Sequence, residues 1–325
     1  MTAIPQDQGQ GQGQELTVRP LAGPEELGLF RELAYVLDHE LDDDLATGRR
    51  RPEWMWVALR GGRVLARASW WTSRPGEPPC ALDFFDLDDT LPEPERGEIG
   101  LRLLETASAA VLPAGAPRPE YGRFVPPDWH DDAVARDVVE ARMNVLERTG
   151  ARLLVERLRL EWRPGTPVPE PTGRLTFRPA DDQEELIALM TLVLEGTLDA
   201  HSRADLASGL GAREAAELQF EEEFAGCASP RAWWRIAGLP GGGPVGFVIP
   251  ARNNYHHTIA YIGVVPAHRG HGHIDDLLAE GTRVLAAQDV PRIRAATDLA
   301  NVPMAKAFER AGYVNFERAV NMTWS

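Results

Sequence analysis

The chain has 325 residues, 43% of them hydrophobic, and a formal net charge of −15. This length exceeds what one small core needs and favours two domains. The acidic excess argues against nucleic acid as a partner, because phosphate binding needs a basic face, whereas an acidic surface suits a cationic small molecule. The chain has only two cysteines, Cys80 and Cys227, and their spacing is not that of a metal site. Two cysteines are too few for a disulfide framework, which favours a reducing cytoplasm.

Two segments of the chain are predicted to lie outside any folded domain. Residues 1–14 consist largely of Gln and Gly and are predicted to be a disordered tail. Residues 164–173 contain four prolines, which is typical of a stiff interdomain linker. We therefore expect one domain over residues 15–163 and a second over 174–325. No apolar run is long enough to cross a bilayer and no secretory signal is recognisable, so we expect no membrane association.

The two halves of the chain repeat each other. Residues 16–20 (LTVRP) recur as 175–179 (LTFRP), and residues 147–150 (ERTG) correspond to 309–312 (ERAG). Glycine pairs between apolar strands predict a hairpin in each half, at residues 60–62 and 241–243. Each copy then continues as strand, helix, strand, helix and closing strands. The pattern predicts an α/β fold of two tandem domains, each a mixed, mostly antiparallel sheet with helices on both faces.

The second copy contains a strand, a glycine loop and a helix in direct succession. An apolar strand over residues 259–265 ends at Pro266, the loop RGHG follows, and a helix is predicted to begin near Ile274. Such a junction directs unpaired backbone N–H groups and the positive end of a helix dipole at one point, which is typical of a phosphate site. The spacing matches neither a Walker loop nor a dinucleotide fingerprint.

This segment resembles the GNAT superfamily of N-acetyltransferases. The family's Arg/Gln-x-x-Gly-x-Gly/Ala motif corresponds to residues 269–274 (RGHGHI), and its later strand–Asn–helix element corresponds to residues 297–313 (TDLANVPMAKAFERAGY). The resemblance covers the second copy, and the repeat extends the fold to the first.

The resemblance implies acetyl-CoA as cosubstrate and direct attack by an amine in a ternary complex. Loop amides would hold the CoA pyrophosphate, a backbone N–H near Val264 would polarise the thioester carbonyl, and Asn301 would bind the pantetheine arm. The residues that the resemblance assigns to the cosubstrate are Val264, Val265, Arg269, Gly270, His271, Gly272, His273, Ile274, Asn301 and Phe308.

The sequence departs from the family pattern at three places. Ile274 replaces a small residue where a phosphate approaches, and Phe308 replaces a tyrosine that protonates the departing thiolate in many members. Strand positions 258 and 260, which often carry a carboxylate base, hold Thr and Ala. We take His257 as the candidate base, because a histidine accepts a proton near neutral pH, with Tyr261 as a weaker acid; His256 is the alternative base.

Two further clusters allow either a functional or an ordinary interpretation. His268, His271 and His273 lie close in sequence, but a loop facing pyrophosphate accounts for them without a metal. Residues 221–223 (EEE), with Asp199 and His201, are either an exposed helix face or a carboxylate rim that recruits a cationic amine.

We interpret the first copy as a degenerate domain. Its corresponding segment, residues 88–102, is acidic and lacks the Gly-x-Gly spacing. The predicted function is a cytoplasmic acyltransferase that acetylates a small-molecule amine, without a metal. The alternatives are a CoA-binding regulatory or scaffold protein without turnover and, ranked lower, transfer to a hydroxyl or thiol. The pattern is compatible with a homodimer but does not specify one.

Overall fold

The computed structural model describes residues 15–325, so the predicted tail at residues 1–14 lies outside the described part of the chain. The chain divides into two compact units. The first contains the described residues up to Arg123, together with Trp129–Arg152 and Met322–Ser325. The second contains Phe124–Asp128 and Leu153–Asn321. Residues 153–163, which the repeat places at the end of the first copy, thus belong to the second compact unit.

The first unit is a sheet with helices that follow the predicted order. Its strands are β1 (Thr17–Pro20), β2 (Met55–Arg60), β3 (Arg63–Trp71), β4 (Ala81–Leu87) and β5 (Glu120–Val125). Its helices are α1 (Leu27–Phe30), α2 (Leu41–Thr47), α3 (Glu95–Val111) and α4 (Ala133–Arg148). The strands lie in the order β1-β2-β3-β4-β5, and only the β4–β5 pair is parallel. The predicted β2–β3 hairpin is confirmed.

The second unit has the same organisation. Its strands are β6 (Arg152–Trp162), β7 (Thr176–Pro179), β8 (Arg235–Gly238), β9 (Pro244–Arg252), β10 (His257–Val264), β11 (Ile293–Asp298) and β12 (Val314–Thr323). Its helices are α5 (Gln183–Val193), α6 (Ala200–Ala207), α7 (Ala212–Gln219), α8 (His273–Ala286) and α9 (Val302–Arg310), and a π-helical turn at Phe220–Phe224 follows α7. The strand order is β12-β6-β11-β10-β9-β8-β7.

The C-terminal half of strand β6 pairs with a strand from the other half of the sequence. Its register with β11 is antiparallel from Arg157↔Asp298 to Trp162↔Ile293. Residues 163–175, which include the predicted linker, form no helix or strand before β7 begins.

Alternating side chains of the second-unit sheet enter two different cores. Phe247 packs with α5 and the π-helical turn, whereas its neighbour Val248 packs with α8 and α9. Ile236 and Ala237 divide in the same way. Because successive strand residues point to opposite faces, helices cover both faces of this sheet. The predicted mixed, mostly antiparallel sheet with helices on both faces is confirmed.

Candidate active site

The loop between β10 and α8 has the backbone that the glycine spacing predicts. Gly270 and Gly272 adopt φ values of +80° and +75°, which residues with a side chain rarely adopt. Gly272 is the N-cap of α8, and the helix begins at His273, one residue before the predicted start. The two glycines allow the chain to leave the strand and enter the helix within a few residues.

Five consecutive backbone N–H groups at this junction have no protein acceptor within the described residues. They belong to Gly270, His271, Gly272, His273 and Ile274. The first N–H groups of a helix have no intrahelical partner, and they lie at the positive end of the helix dipole. The donor set therefore fits an anion that accepts several hydrogen bonds, such as a diphosphate.

Arg269 has a different role from the residues that follow it. Its own N–H donates to Pro266 O at 3.2 Å, so this amide is not available to a ligand. Its guanidinium donates to the carbonyl oxygens of Val264 (3.0 Å), Val193 (2.8 Å) and Glu195 (2.6 Å). Arg269 thus ties the glycine loop to β10 and to the end of α5. The prediction that its amide binds pyrophosphate has no support in this geometry.

Strands β10 and β11 are paired near their N-terminal ends and separate toward their C-terminal ends. They are paired only at Thr258↔Arg294, whereas β10 pairs with β9 along its whole length, with an irregularity between Ile259 and Tyr261. One edge of β10 therefore faces an opening toward β11. We call this opening the β10–β11 gap.

The hydrogen-bond pattern shows which backbone groups face this gap. Val265 N donates to Val245 O at 2.9 Å, on the β9 side. Hydrogen-bonded and non-hydrogen-bonded pairs alternate in an antiparallel ladder, so Ile262 and Val264 direct their backbone groups toward the gap. The carbonyl of Val264 already accepts from Arg269, which leaves its N–H for a ligand. Val265 does not, because its carbonyl also accepts from His268 N. Sequence reasoning assigned Val265 and missed Ile262, since the assignment depends on the register with β9.

The two predicted residues of the α9 region differ in their environment. The Asn301 side-chain oxygen caps α9 by accepting from Met304 N at 3.4 Å, which leaves its amide NH₂ free of protein partners in the described chain. Phe308 is 1% exposed and packs edge-to-face against Tyr313, at 5.1 Å between ring centroids. Phe308 has no hydroxyl, and the hydroxyl of Tyr313 is hydrogen-bonded to the hydroxyl of Thr282 at 2.8 Å. Neither aromatic residue therefore offers a free hydroxyl.

His257 lies at the wrong end of β10 for the predicted role. It begins the strand, seven residues before Val264, which is roughly 20 Å at the rise of an extended chain. Its ring lies beside Trp233, and burial together with the charge of Arg252 lowers its pKa. Burial and three nearby arginines lower the pKa of the neighbouring His256 to about 4. The structure therefore brings neither histidine to the β10–β11 gap.

Tyr261 lies near the gap, one residue before Ile262. Its ring packs against Phe224 and Phe247, at 5.9 Å and 5.1 Å between centroids. Burial raises the pKa of its hydroxyl, and the carboxylates of Asp199 and Glu223 add to the effect. Tyr261 is thus positioned beside the predicted reaction centre, and its hydroxyl remains protonated at neutral pH.

The first turn of α8 carries two aspartates that the sequence analysis did not assign to the site. Asp275 pairs with Arg310 of α9, and Asp276 pairs with Arg174, both at 2.6 Å. Arg174 also reaches the carbonyl of His271 at 3.2 Å. The two arginines offset carboxylates that would otherwise repel an anion at this helix end. The arginines come from distant parts of the sequence, so local spacing gives no signal for them.

The rings of the three loop histidines lie close to one another. The rings of His271 and His273 are stacked with centroids 5.9 Å apart, and His268 lies 6.2 Å from His273. Across residues 15–325, no three His, Cys, Asp or Glu side chains are arranged to hold a metal ion. Over the same residues, no helix is both long and apolar enough to span a membrane.

The corresponding gap in the first unit is filled by its own side chains. Strands β4 and β5 also pair at only two positions before they separate. There, Arg123 donates to Phe85 O and to Asp86, at 3.4 Å and 2.8 Å, and Arg142 donates to Leu87 O at 3.1 Å. The backbone carbonyls that would face a ligand thus already have partners.

The start of α3 is also closed in the first unit. The carboxylate of Glu93 accepts from Gly97 N at 3.2 Å and from Arg96 Nε at 2.9 Å. The N–H groups of Arg96 and Glu98 donate to Pro92 O and Pro94 O. A carboxylate of the chain itself therefore occupies the helix end that is open in the second unit.

The segment that contains the glycine loop and the β10–β11 gap matches a protein-family model. The model of the acetyltransferase (GNAT) family matches residues 199–313, which include the β10–β11 gap, the glycine loop and α9. Residues 199–313 form a GNAT-family domain. A search of curated proteins finds no sequence match to the chain.

Solved structures extend the GNAT fold to both units of the chain. A GCN5-related N-acetyltransferase from Sphaerobacter thermophilus has a TM-score of 0.58 at 16% identity, covering 94% of each chain. A tandem GNAT protein from the clavulanic acid biosynthesis pathway has a TM-score of 0.52 at 16% identity, covering 95% of this chain and 98% of the other. A GCN5-related glucosamine N-acetyltransferase region of a fungal β-N-acetylglucosaminidase has a TM-score of 0.54 at 12% identity, covering 95% and 38%. The chain has a tandem GNAT fold.

Proposed function

We propose that the second unit is an N-acetyltransferase that uses acetyl-CoA to acetylate the amine of a small molecule. The observation that carries the proposal is the row of five open N–H groups from Gly270 to Ile274 beside the β10–β11 gap. A diphosphate at the helix end would place the attached pantetheine arm along the gap. The family match over residues 199–313 supports the same cosubstrate.

The residues of the chain would contribute mainly positioning. The loop amides would hold the diphosphate, the free amide of Asn301 would bind the pantetheine arm, and the backbone of Ile262 and Val264 would hold the thioester end. In the transfer, the amine nitrogen bonds to the acetyl carbon, the carbon–sulfur bond breaks, and the proton released by nitrogen balances the departing thiolate. Phe308 has no proton to give, so Tyr261 or solvent would protonate the thiolate, and the proton released by nitrogen would restore that donor.

We propose that the first unit has a structural role and does not bind CoA. Its gap is filled by Arg123 and Arg142, and Glu93 caps its helix end. A carboxylate at that position would repel a diphosphate as well as occupy its donors.

The experiment that tests the proposal is a thiol-release assay. The purified protein is mixed with acetyl-CoA and a panel of primary amines, and free CoA is measured against the background hydrolysis of acetyl-CoA. We expect amine-dependent release of CoA with at least one amine of the panel, and mass spectrometry should show its acetylated product.

The second candidate is a CoA-binding module without turnover. It is favoured by the buried Phe308 and by the distance of His257 from Val264, which leave no proton-transferring histidine or family tyrosine at the gap. Acetyl-CoA binding without amine-dependent CoA release would establish this alternative and overturn the enzyme.

A further inference from the structure

The segment that precedes β7 lies along α8 and contacts it near both of its ends. In the last turn of the helix, Arg283 donates to the carbonyl oxygen of Pro169 at 2.8 Å. In the first turn, Asp276 Oδ1 accepts from the hydroxyl of Thr172 at 2.7 Å. The segment and the helix both belong to the second unit. We call residues 169–174 the flanking segment.

Arg174 ends the flanking segment and connects it to the glycine loop. Its guanidinium donates to Asp276 Oδ2 at 2.6 Å, and to the carbonyl oxygens of His271 and Gly272 at 3.2 Å and 3.4 Å. Its Nε donates to Thr172 Oγ1 at 3.3 Å. Each of the three guanidinium nitrogens thus already has a protein acceptor.

The two carbonyls that Arg174 contacts belong to peptide units of the open amide row. A trans peptide unit is planar and directs its C=O and its N–H to opposite sides. The carbonyl of His271 shares its unit with the N–H of Gly272, and the carbonyl of Gly272 shares its unit with the N–H of His273. Contacts with Arg174 on one side therefore direct these two N–H groups to the other side.

The contact at His271 depends on Arg174 more than the contact at Gly272 does. The Gly272 carbonyl also accepts from the N–H of Asp275 at 3.2 Å, whereas within residues 15–325 the His271 carbonyl accepts from Arg174 alone. A hydrogen bond to a carbonyl oxygen polarises the peptide unit and strengthens its N–H as a donor. Arg174 thus both orients and strengthens donors of the anion site.

Arg174 also balances the charge of a buried carboxylate at the start of α8. Asp276 is 9% exposed, and its partners are the Thr172 hydroxyl and the Arg174 guanidinium. Arg310 pairs with the neighbouring Asp275 and does not replace Arg174 there. Without Arg174, Asp276 would keep one neutral partner and leave a negative charge in the turn where an anion would bind.

We propose that Arg174 is a positioning residue for CoA, which orients the N–H groups of Gly272 and His273 and neutralises Asp276 without contacting the cosubstrate. This inference rests on the proposed function, because the amide row is the place where the diphosphate would lie.

The test compares CoA with 3′-dephospho-CoA, which keeps the diphosphate but lacks the separate phosphate on the ribose. Each is titrated calorimetrically into the full-length wild type, Arg174→Ala and Arg178→Ala. Arg178 is a matched control, since its side chain is 51% exposed against 47% for Arg174 and also pairs with a carboxylate, Glu185. We expect Arg174→Ala to raise the Kd for both ligands about ten-fold or more, and Arg178→Ala to leave both unchanged.

A second substitution separates the effect on charge from a general loss of structure. Asp276→Asn, added to Arg174→Ala, removes the carboxylate that Arg174 balanced, so we expect it to recover at least about three-fold of the lost affinity for both ligands. A purely structural role predicts no recovery, because the double variant has lost more contacts. Arg174→Gln, which keeps most of the side-chain stem, should weaken binding as Arg174→Ala does and replaces it if the alanine variant does not fold.

The outcomes separate this inference from the proposed function. Equal affinity in the wild type and Arg174→Ala, or no recovery in the double variant, would overturn the positioning role. Weaker binding of CoA with unchanged binding of 3′-dephospho-CoA would also overturn it, since Arg174 would then contact the ribose phosphate directly. A wild-type protein that binds neither ligand would instead overturn the proposed function.

Discussion

Arg269 Nε lies 3.0 Å from the carbonyl oxygen of Val264, so the side chain that opens the glycine loop is bonded to the strand that borders the β10–β11 gap. The same guanidinium reaches Glu195 O and Val193 O at the end of α5. These three bonds fix the loop against two elements. We infer that Arg269 positions the loop amides and does not itself contact the diphosphate.

Replacement of this arginine should weaken cosubstrate binding. Arg269→Ala removes all three bonds and leaves the loop less ordered, so we expect the Kd for acetyl-CoA to rise about ten-fold or more. Isothermal titration calorimetry measures this change. Arg252→Ala, at an exposed arginine that ends β9, serves as the control and should leave the Kd unchanged. Equal affinity in both variants would refute the positioning role.

A smaller residue at position 274 should tighten cosubstrate binding. The side chain of Ile274 is partly buried against the core that α8 and α9 form, and its own N–H is the last of the row of open amides. Ile274→Ala removes bulk where the family motif has Gly or Ala, and we expect the Kd for acetyl-CoA to fall about three-fold or more. The loss of a partly buried side chain costs up to about 2 kcal/mol of stability. A Kd that stays the same or rises would show that Ile274 does not restrict the site.

The buried ion pairs of the first unit should be essential to its stability. Asp86 is 2% exposed and accepts from Arg67 and Arg123. Asp86→Asn leaves buried guanidinium groups without their carboxylate, which costs about 3–5 kcal/mol. Thermal unfolding should show a lower Tm, and Asp131→Asn, at an exposed aspartate, should not. If Asp86→Asn lowers the Tm only slightly, the ion pairs of Asp86 with Arg67 and Arg123 contribute little to the stability of the first unit.

Much of the fold and the position of the glycine loop could be predicted from the sequence because local chemistry decides them. Glycine spacing places the loop and the start of α8, and alternating apolar residues place the hairpins. Long-range pairing decides the rest. The engagement of the Val265 backbone depends on Val245 across the ladder, and the partners of Asp275 and Asp276 come from α9 and the linker region. His257 was assigned from its proton affinity, which says nothing about its place along β10.

The low pKa of His256 predicts a pH dependence of stability. Its folded pKa of about 4 lies below the ordinary histidine value of 6.5, chiefly because of burial and then because of Arg294. The unfolded state thus binds the proton more readily, so stability is lost as pH falls from about 6.5 toward 4. After allowance for solvent screening, we expect a loss of about 1–3 kcal/mol over this window.

Urea unfolding at several pH values in this window measures that effect. His256→Asn should reduce the loss on acidification, and His39→Asn, at an exposed histidine, should not. If both variants follow the wild-type curve, His256 is not the group responsible.

Acetyl-CoA binding at the second-unit glycine loop is the central claim, and calorimetric titration of acetyl-CoA tests it most directly. The informative variant is Gly272→Glu, which puts a carboxylate at the open amides; Gly115→Glu is the control, since Gly115 has a similar φ of +78° and open space around it. We predict that the wild type and Gly115→Glu bind acetyl-CoA and that Gly272→Glu does not. Unchanged binding in Gly272→Glu, or no binding in the wild type, would contradict the account.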